Sequence, residues 1–181
     1  MTLEAGPRTQ EAEANDPLRL ERQVCFALVV ASRSVLGIYR PLLEPLGLTH
    51  PQYLVMLALW GEAPLSVGTI GGLLQLDSPT LSPLLKRLQS AGLITRTRSG
   101  EDERQVLVDL TDVGRDLRRE ALAIPPAVVE RLGMAIPELE SLHAALTRVI
   151  AATNDGATKD GAMNNAATDD VAPTGSEALR R

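Results

Sequence analysis

Four basic side chains, Lys86, Arg87, Arg96 and Arg98, fall between Ser78 and Ser99 with no acidic residue among them, in a chain whose formal net charge is −5. A local positive field inside an acidic protein suits the phosphate backbone of a nucleic acid. Ser78, Thr80 and Ser82 stand beside these cations, as short polar side chains able to reach base edges or phosphate oxygens. The other residue with chemistry of its own is Cys25, the single cysteine. Read from its neighbours alone it is a small buried apolar side chain. Reactivity would require a stabilised thiolate, and Arg22, three residues earlier, is the nearby cation. One cysteine cannot form an internal disulfide and, with two histidines, makes no convincing metal set. No catalytic constellation, metal or cofactor is expected.

The elements that must position these residues are well marked. Leu81, Leu84, Leu85 and Leu88 recur at helical spacing and predict an amphipathic helix whose outer face carries Thr80, Ser82, Lys86 and Arg87. Ser78 is the expected N-cap with Pro79 at the first helical position, and Gly92 is the expected left-handed stop. Pro83 removes one backbone bond, to Pro79, in the first turns. Residues 93–98 and 105–110 then read as two strands around a turn-prone tip, Ser99 to Glu103. A polar helix followed by a basic hairpin is the order of a winged helix-turn-helix: the helix enters the major groove and the hairpin follows the flanking backbone, with Arg104 offered to the minor groove. On charge alone a solvated helix and an ordinary hairpin explain the pattern equally well.

The remainder supports one domain, about residues 18–153, with the DNA-binding part at about 49–111. The net acidity lies in the ends: residues 1–17 carry four acids and one base, and residues 154–181 carry five acids and three bases. These segments are read as a flexible arm and a disordered tail. Residues 18–43 predict one long apolar helix, ended by Pro41 and Pro45. Thr49 and Gln52 fit a capping box that opens a second helix, and Ser66 caps a third, which pairs with the recognition helix across Asp77. Beyond the wing, a helix from Asp112 is interrupted at Pro125 and Pro126, and a last one from Pro137 to about Ala152 sets Leu139, Leu142, Leu146 and Val149 on a buried face. The fold class is therefore mainly α with a small β-hairpin, a winged helix-turn-helix with a helical dimerisation region. The apolar terminal helices point to a two-fold homodimer. No run approaches the about 18 continuous apolar residues of a membrane helix, and no leader is apparent, so a cytoplasmic protein without membrane contact is expected.

Several runs resemble the MarR family of bacterial transcription regulators, and within it the organic hydroperoxide resistance regulators. They are QVCFAL (23–28), IYRPLLEPLGLTHPQYLVMLALW (38–60), LDSPTLSPLLKRL (76–88) and GLITRTRSGEDERQVLV (92–108), the last carrying the DxR of Asp102 and Arg104 in the wing. Together they cover the expected ordered body and leave out both tails. The resemblance implies that Cys25 is a peroxide sensor, that the repressor is a dimer, and that oxidation of the thiol releases double-stranded operator DNA. It also implies that tyrosines hydrogen-bond the cysteine. Tyr39 matches one of them, His50 occupies the place of a second and Val29 that of a third. Cys25 and Tyr39 lie 14 residues apart, roughly 21 Å along one helix, so this pair would form only across a dimer. With no second cysteine, oxidised Cys25 would be trapped by a low-molecular-weight thiol or oxidised further.

The leading expectation is thus a repressor switched by organic hydroperoxide. An alternative keeps the fold but has a small aromatic or phenolic ligand release the DNA, with Cys25 a bystander. A thiol peroxidase is disfavoured, because no recognisable catalytic arginine and threonine surround Cys25 and an enzyme has no use for a basic wing.

Overall fold

The computed structural model describes residues 16–98, 100 and 105–166. Its helices are α1 (Val24–Leu43), α2 (His50–Gly61), α3 (Val67–Leu74), α4 (Ser78–Ser90), α5 (Asp112–Ala121), α6 (Ile124–Leu132) and α7 (Ile136–Ala166). Three short strands are β1 (Leu65–Ser66), β2 (Ile94–Arg98) and β3 (Val106–Leu110). The chain divides at Gly133 into two units, the first holding everything from α1 to α6 and the second α7.

The first unit is built around the leucine stripe of α4. Leu81, Leu85 and Leu88 are fully buried among Val55, Met56 and Leu59 of α2, Ile70 of α3, and Ile94 and Val108 of the sheet. Each such side chain contributes about 1.5–3 kcal/mol when removed from water. α3 and α4 form the helix-turn-helix. Gly71 lets them close up, since a Cβ there would meet the carbonyl oxygen of Leu76 at 3.0 Å.

The hairpin is present, but the sheet has a third strand. β1 pairs antiparallel with β3, giving the order β1-β3-β2, with Leu65 opposite Val108 and Arg96 also opposite Val108. A two-residue strand is too short for any periodicity to reveal.

Local signals account for most of the boundaries. Gln52 Oε1 accepts from the N–H and hydroxyl of Thr49 at 2.8 and 2.9 Å, completing the expected capping box of α2. Ser66 Oγ accepts from the N–H of Thr69 at 3.0 Å and caps α3. Gly92 has φ 72, and the N–H groups of Gly92 and Leu93 close back onto the carbonyls of Gln89 and Leu88, so α4 ends as expected.

Three boundaries differ from expectation. The cap of α4 is Asp77, whose carboxylate accepts from the N–H of Thr80 at 3.0 Å; Ser78 is the first helical residue. Both are good caps, and proline is tolerated in the first helical positions, so residue type allows either register. The first helix begins at Val24 instead of Leu18, because Gln23 is extended and only a 3-10 turn, Leu20–Arg22, precedes it. α7 runs on to Ala166, past the stop expected near Ala152, and takes in residues 154–166 that were read as tail. No proline interrupts that stretch. Leu142 and Val149 of α7 are exposed in the single chain.

A membrane-length apolar segment is also present, against expectation: Val24–Leu46 is long and apolar enough to cross a membrane by length and composition alone. Arg33 and Arg40 interrupt its apolar run, which is why counting uninterrupted residues passed over it.

Candidate functional site

The nucleic-acid face begins with α4. Ser78, Thr80, Ser82, Lys86 and Arg87 are all exposed on it. Two of its hydroxyls are already committed. The Thr80 hydroxyl and N–H together hold the Asp77 carboxyl below its ordinary value, and Ser82 Oγ donates to the carbonyl of Ser78 at 2.7 Å. Their oxygens remain free to accept from the amino groups of cytosine or adenine in a major groove.

The strands add a second feature. Arg96 shares a sheet face with buried Ile94 and is half-buried, whereas Arg98, two residues on along the same face, is exposed. Its Nε is buried and has no hydrogen-bond partner among the described residues. It lines a cleft of about 680 Å³ together with Ser66 and Thr69 from the start of α3 and Ser78 and Ser82 from the start of α4. Helix N-termini carry unpaired N–H groups and favour anions. A guanidinium placed between two of them makes a seat for phosphate. Charge spacing alone groups Arg96 with the surface cations; the starts of α3 and α4 packed beside it set it apart. Asp102 and Arg104, expected in the wing tip, lie outside the described residues.

The second site is split along α1. Cys25 is exposed in the first turn of the helix, which excludes its reading as a buried apolar residue within the chain. Tyr39 lies in the last turns of the same α-helix, and 14 residues at 1.5 Å each separate the two by roughly 21 Å. His50 is the first residue of α2, and its ring meets that of Tyr39 edge-on, with centroids 4.7 Å apart and planes at 66°. Burial raises the Tyr39 phenol and lowers the His50 imidazole from their ordinary values. At neutral pH His50 therefore offers one N–H donor and one acceptor, and Tyr39 keeps its proton.

Beside them opens a cavity of about 590 Å³, walled by Leu36, Leu43 and Leu48 and edged by Arg40, Glu44 and His50. Tyr53, expected in the core, is indeed buried, and burial first, then the neighbouring Tyr39, raises its phenol. The sequence reading missed the row that continues from it. Tyr39 to Tyr53 is 6.0 Å and Tyr53 to Trp60 is 6.2 Å between centroids. The seven-residue spacing of Tyr53 and Trp60, two helical turns, was the available signal.

Comparison with known proteins places the chain among DNA-binding transcription regulators. Residues 37–120 match the family model for the transcriptional regulator SarA/Rot. The organic hydroperoxide resistance transcriptional regulator of Bacillus subtilis (strain 168) is 45% identical over 131 residues, which span 72% of this chain and 89% of the relative. The regulator SarZ of Staphylococcus saprophyticus is 37% identical over 131 residues, 72% of this chain and 90% of its own. Among solved structures, reduced AbfR bound to DNA superposes with a TM-score of 0.62 at 32% identity, covering 81% of this chain and 97% of that one. The repressor CouR bound to a 23-mer duplex superposes with a TM-score of 0.67 at 27% identity, covering 72% and 94%.

Proposed function

The chain belongs to the MarR family of transcription regulators, among the organic hydroperoxide resistance regulators, and on that premise we propose that it is a repressor released from operator DNA by oxidation of Cys25. The carrying observation is the division of the sensor: an exposed sulfur at one end of α1 and the Tyr39–His50 pair at the other, too far apart to meet in one chain. Two copies with antiparallel first helices bring the sulfur of each to the phenol and imidazole of its partner. The exposed apolar side chains of α1, Val24, Val29 and Val30 among them, supply the surface for such a homodimer. The two recognition helices then sit about 34 Å apart, one turn of duplex. The site of action is the cytoplasm, where the operator is.

The chemistry balances without a cofactor. The Cys25 thiolate attacks the terminal oxygen of an organic hydroperoxide, a sulfur–oxygen bond forms, the oxygen–oxygen bond breaks, and the alcohol leaves after taking a proton. The sulfur is oxidised to sulfenic acid and the peroxide reduced. Because the chain has one cysteine, the sulfenic acid is next condensed with a low-molecular-weight thiol, with loss of water, or oxidised to sulfinic acid by a second hydroperoxide, which is reduced to its alcohol. Either product adds bulk and polarity between the first helix and its partner's pocket. A coupling of about 3 kcal/mol between sulfur state and DNA contact weakens binding by over a hundredfold. Nothing in this cycle is turnover of a substrate for its own sake, so the protein is proposed to be a sensor and not an enzyme.

Cys25→Ser should bind DNA as the wild type does and stay bound when hydroperoxide is added. Intact mass of the wild type, with and without added thiol, should show the oxygen or thiol adduct. Release of Cys25→Ser by peroxide would remove the sulfur from the mechanism. The 590 Å³ cavity also favours a second reading, in which a small aromatic or phenolic ligand fills it and releases the DNA. Release of Cys25→Ser by such a ligand would support that reading.

A further inference from the structure

We propose that a row of aromatic rings carries the state of the sensor pocket to the recognition helix, and that Trp60 is the residue positioning the joint between that helix and the wing. This rests on the redox reading above and adds the path by which that reading reaches the DNA.

Two ring contacts and one clasp make the path. Tyr39, at the pocket, meets Tyr53 at 6.0 Å between centroids, and Tyr53 meets Trp60 at 6.2 Å. The Trp60 indole N–H donates to the carbonyl of Gly114 at 2.8 Å. Gly114 is pressed against the far end of the recognition helix: a Cβ on it would overlap the carbonyl oxygen of Leu93. Around this contact Thr111 donates its hydroxyl to Gly92 O at 2.6 Å and its N–H to Leu93 O at 3.1 Å, and its hydroxyl oxygen accepts from the N–H of Gly114 at 3.0 Å. Gly92 and Leu93 are the closing residues of α4 and lead straight into β2.

Interiors packed at crystal density do not absorb a ring displacement locally. When oxidised sulfur crowds Tyr39 and His50, Tyr53 must follow, because it touches Tyr39 on one side and Trp60 on the other. Trp60 then moves the carbonyl of Gly114, and with it the segment that fixes the C-terminal end of α4. The wing, which shares that end, moves in the same event.

Contiguity is coupling only when both ends bias one element, so the test measures a ratio. Full-chain protein, reduced or treated with cumene hydroperoxide, is titrated onto a duplex selected from a random pool by the reduced wild type. Wild-type affinity should fall on the order of a hundredfold on oxidation. Trp60→Phe and Tyr53→Leu should gain the same mass at Cys25 yet lose less than about tenfold, while Tyr53→Phe, which keeps the ring, behaves as wild type. Trp60 is also the sole tryptophan, so its emission should shift when wild-type Cys25 is oxidised and stay fixed in Tyr53→Leu. Full release by both variants, or unchanged wild-type emission, overturns the relay and leaves the sensor standing. If oxidised wild type stays on the duplex, the sensor reading fails and the relay goes with it.

Discussion

His50 meets Tyr39 edge-on at the start of α2 and gives the sensor pocket a group whose ordinary titration lies near neutrality. Burial against Tyr39 pulls the imidazole below its ordinary value of about 6.5. The unfolded chain therefore binds a proton at a pH where the folded chain still refuses it. Stability from this group is complete above about pH 6.5 and is lost as the pH falls through the lower folded value. His50→Tyr should lose less melting temperature than the wild type between pH 7.5 and pH 5; equal losses would place the acid sensitivity elsewhere. At this scale the sequence was least informative. It marked Cys25 as the one thiol, but exposure depends on whether anything packs over the start of α1, and that is not a local property. Arg96 was equally opaque, since two arginines two residues apart in a strand share a face and only the neighbouring helices decide which is enclosed.

Among the elements, the joint at the end of α4 concentrates the most structure in the fewest residues. Thr111 caps α5 through its hydroxyl oxygen and spends the hydroxyl proton on Gly92. Thr111→Val keeps the shape and removes both bonds. It should cost about 1–2 kcal/mol, a melting temperature lower by about 2–4 °C for each kcal/mol. An unchanged melting curve would mean that the joint is held by packing alone. Elements with chemical punctuation were legible: the capping box of Thr49 and Gln52, the Ser66 cap, the Gly92 stop and the leucine stripe all emerged where side-chain type dictates backbone geometry. Elements defined by partners were not. β1 is two residues whose strand character comes only from pairing with β3, and the start of α1 turns on the extended backbone of Gln23.

Across the whole molecule, α1 is a hydrophobic helix left largely uncovered in the single chain, with Val24 at 70% and Val29 at 47% exposure. Patches of that kind mark association surfaces. Val30→Glu should shift the protein from dimer to monomer in sedimentation and, by halving the number of recognition helices per particle, remove most of its affinity for a two-half-site duplex. A dimer that persists would move the interface to another face. The smallest strand has a consequence at this scale too. β1 is bonded to the centre of the wing and runs without a break into α3, the first helix of the groove-reading pair. The helix-turn-helix and the hairpin are thereby mounted on one chassis, like the jaws of a calliper held at a single setting.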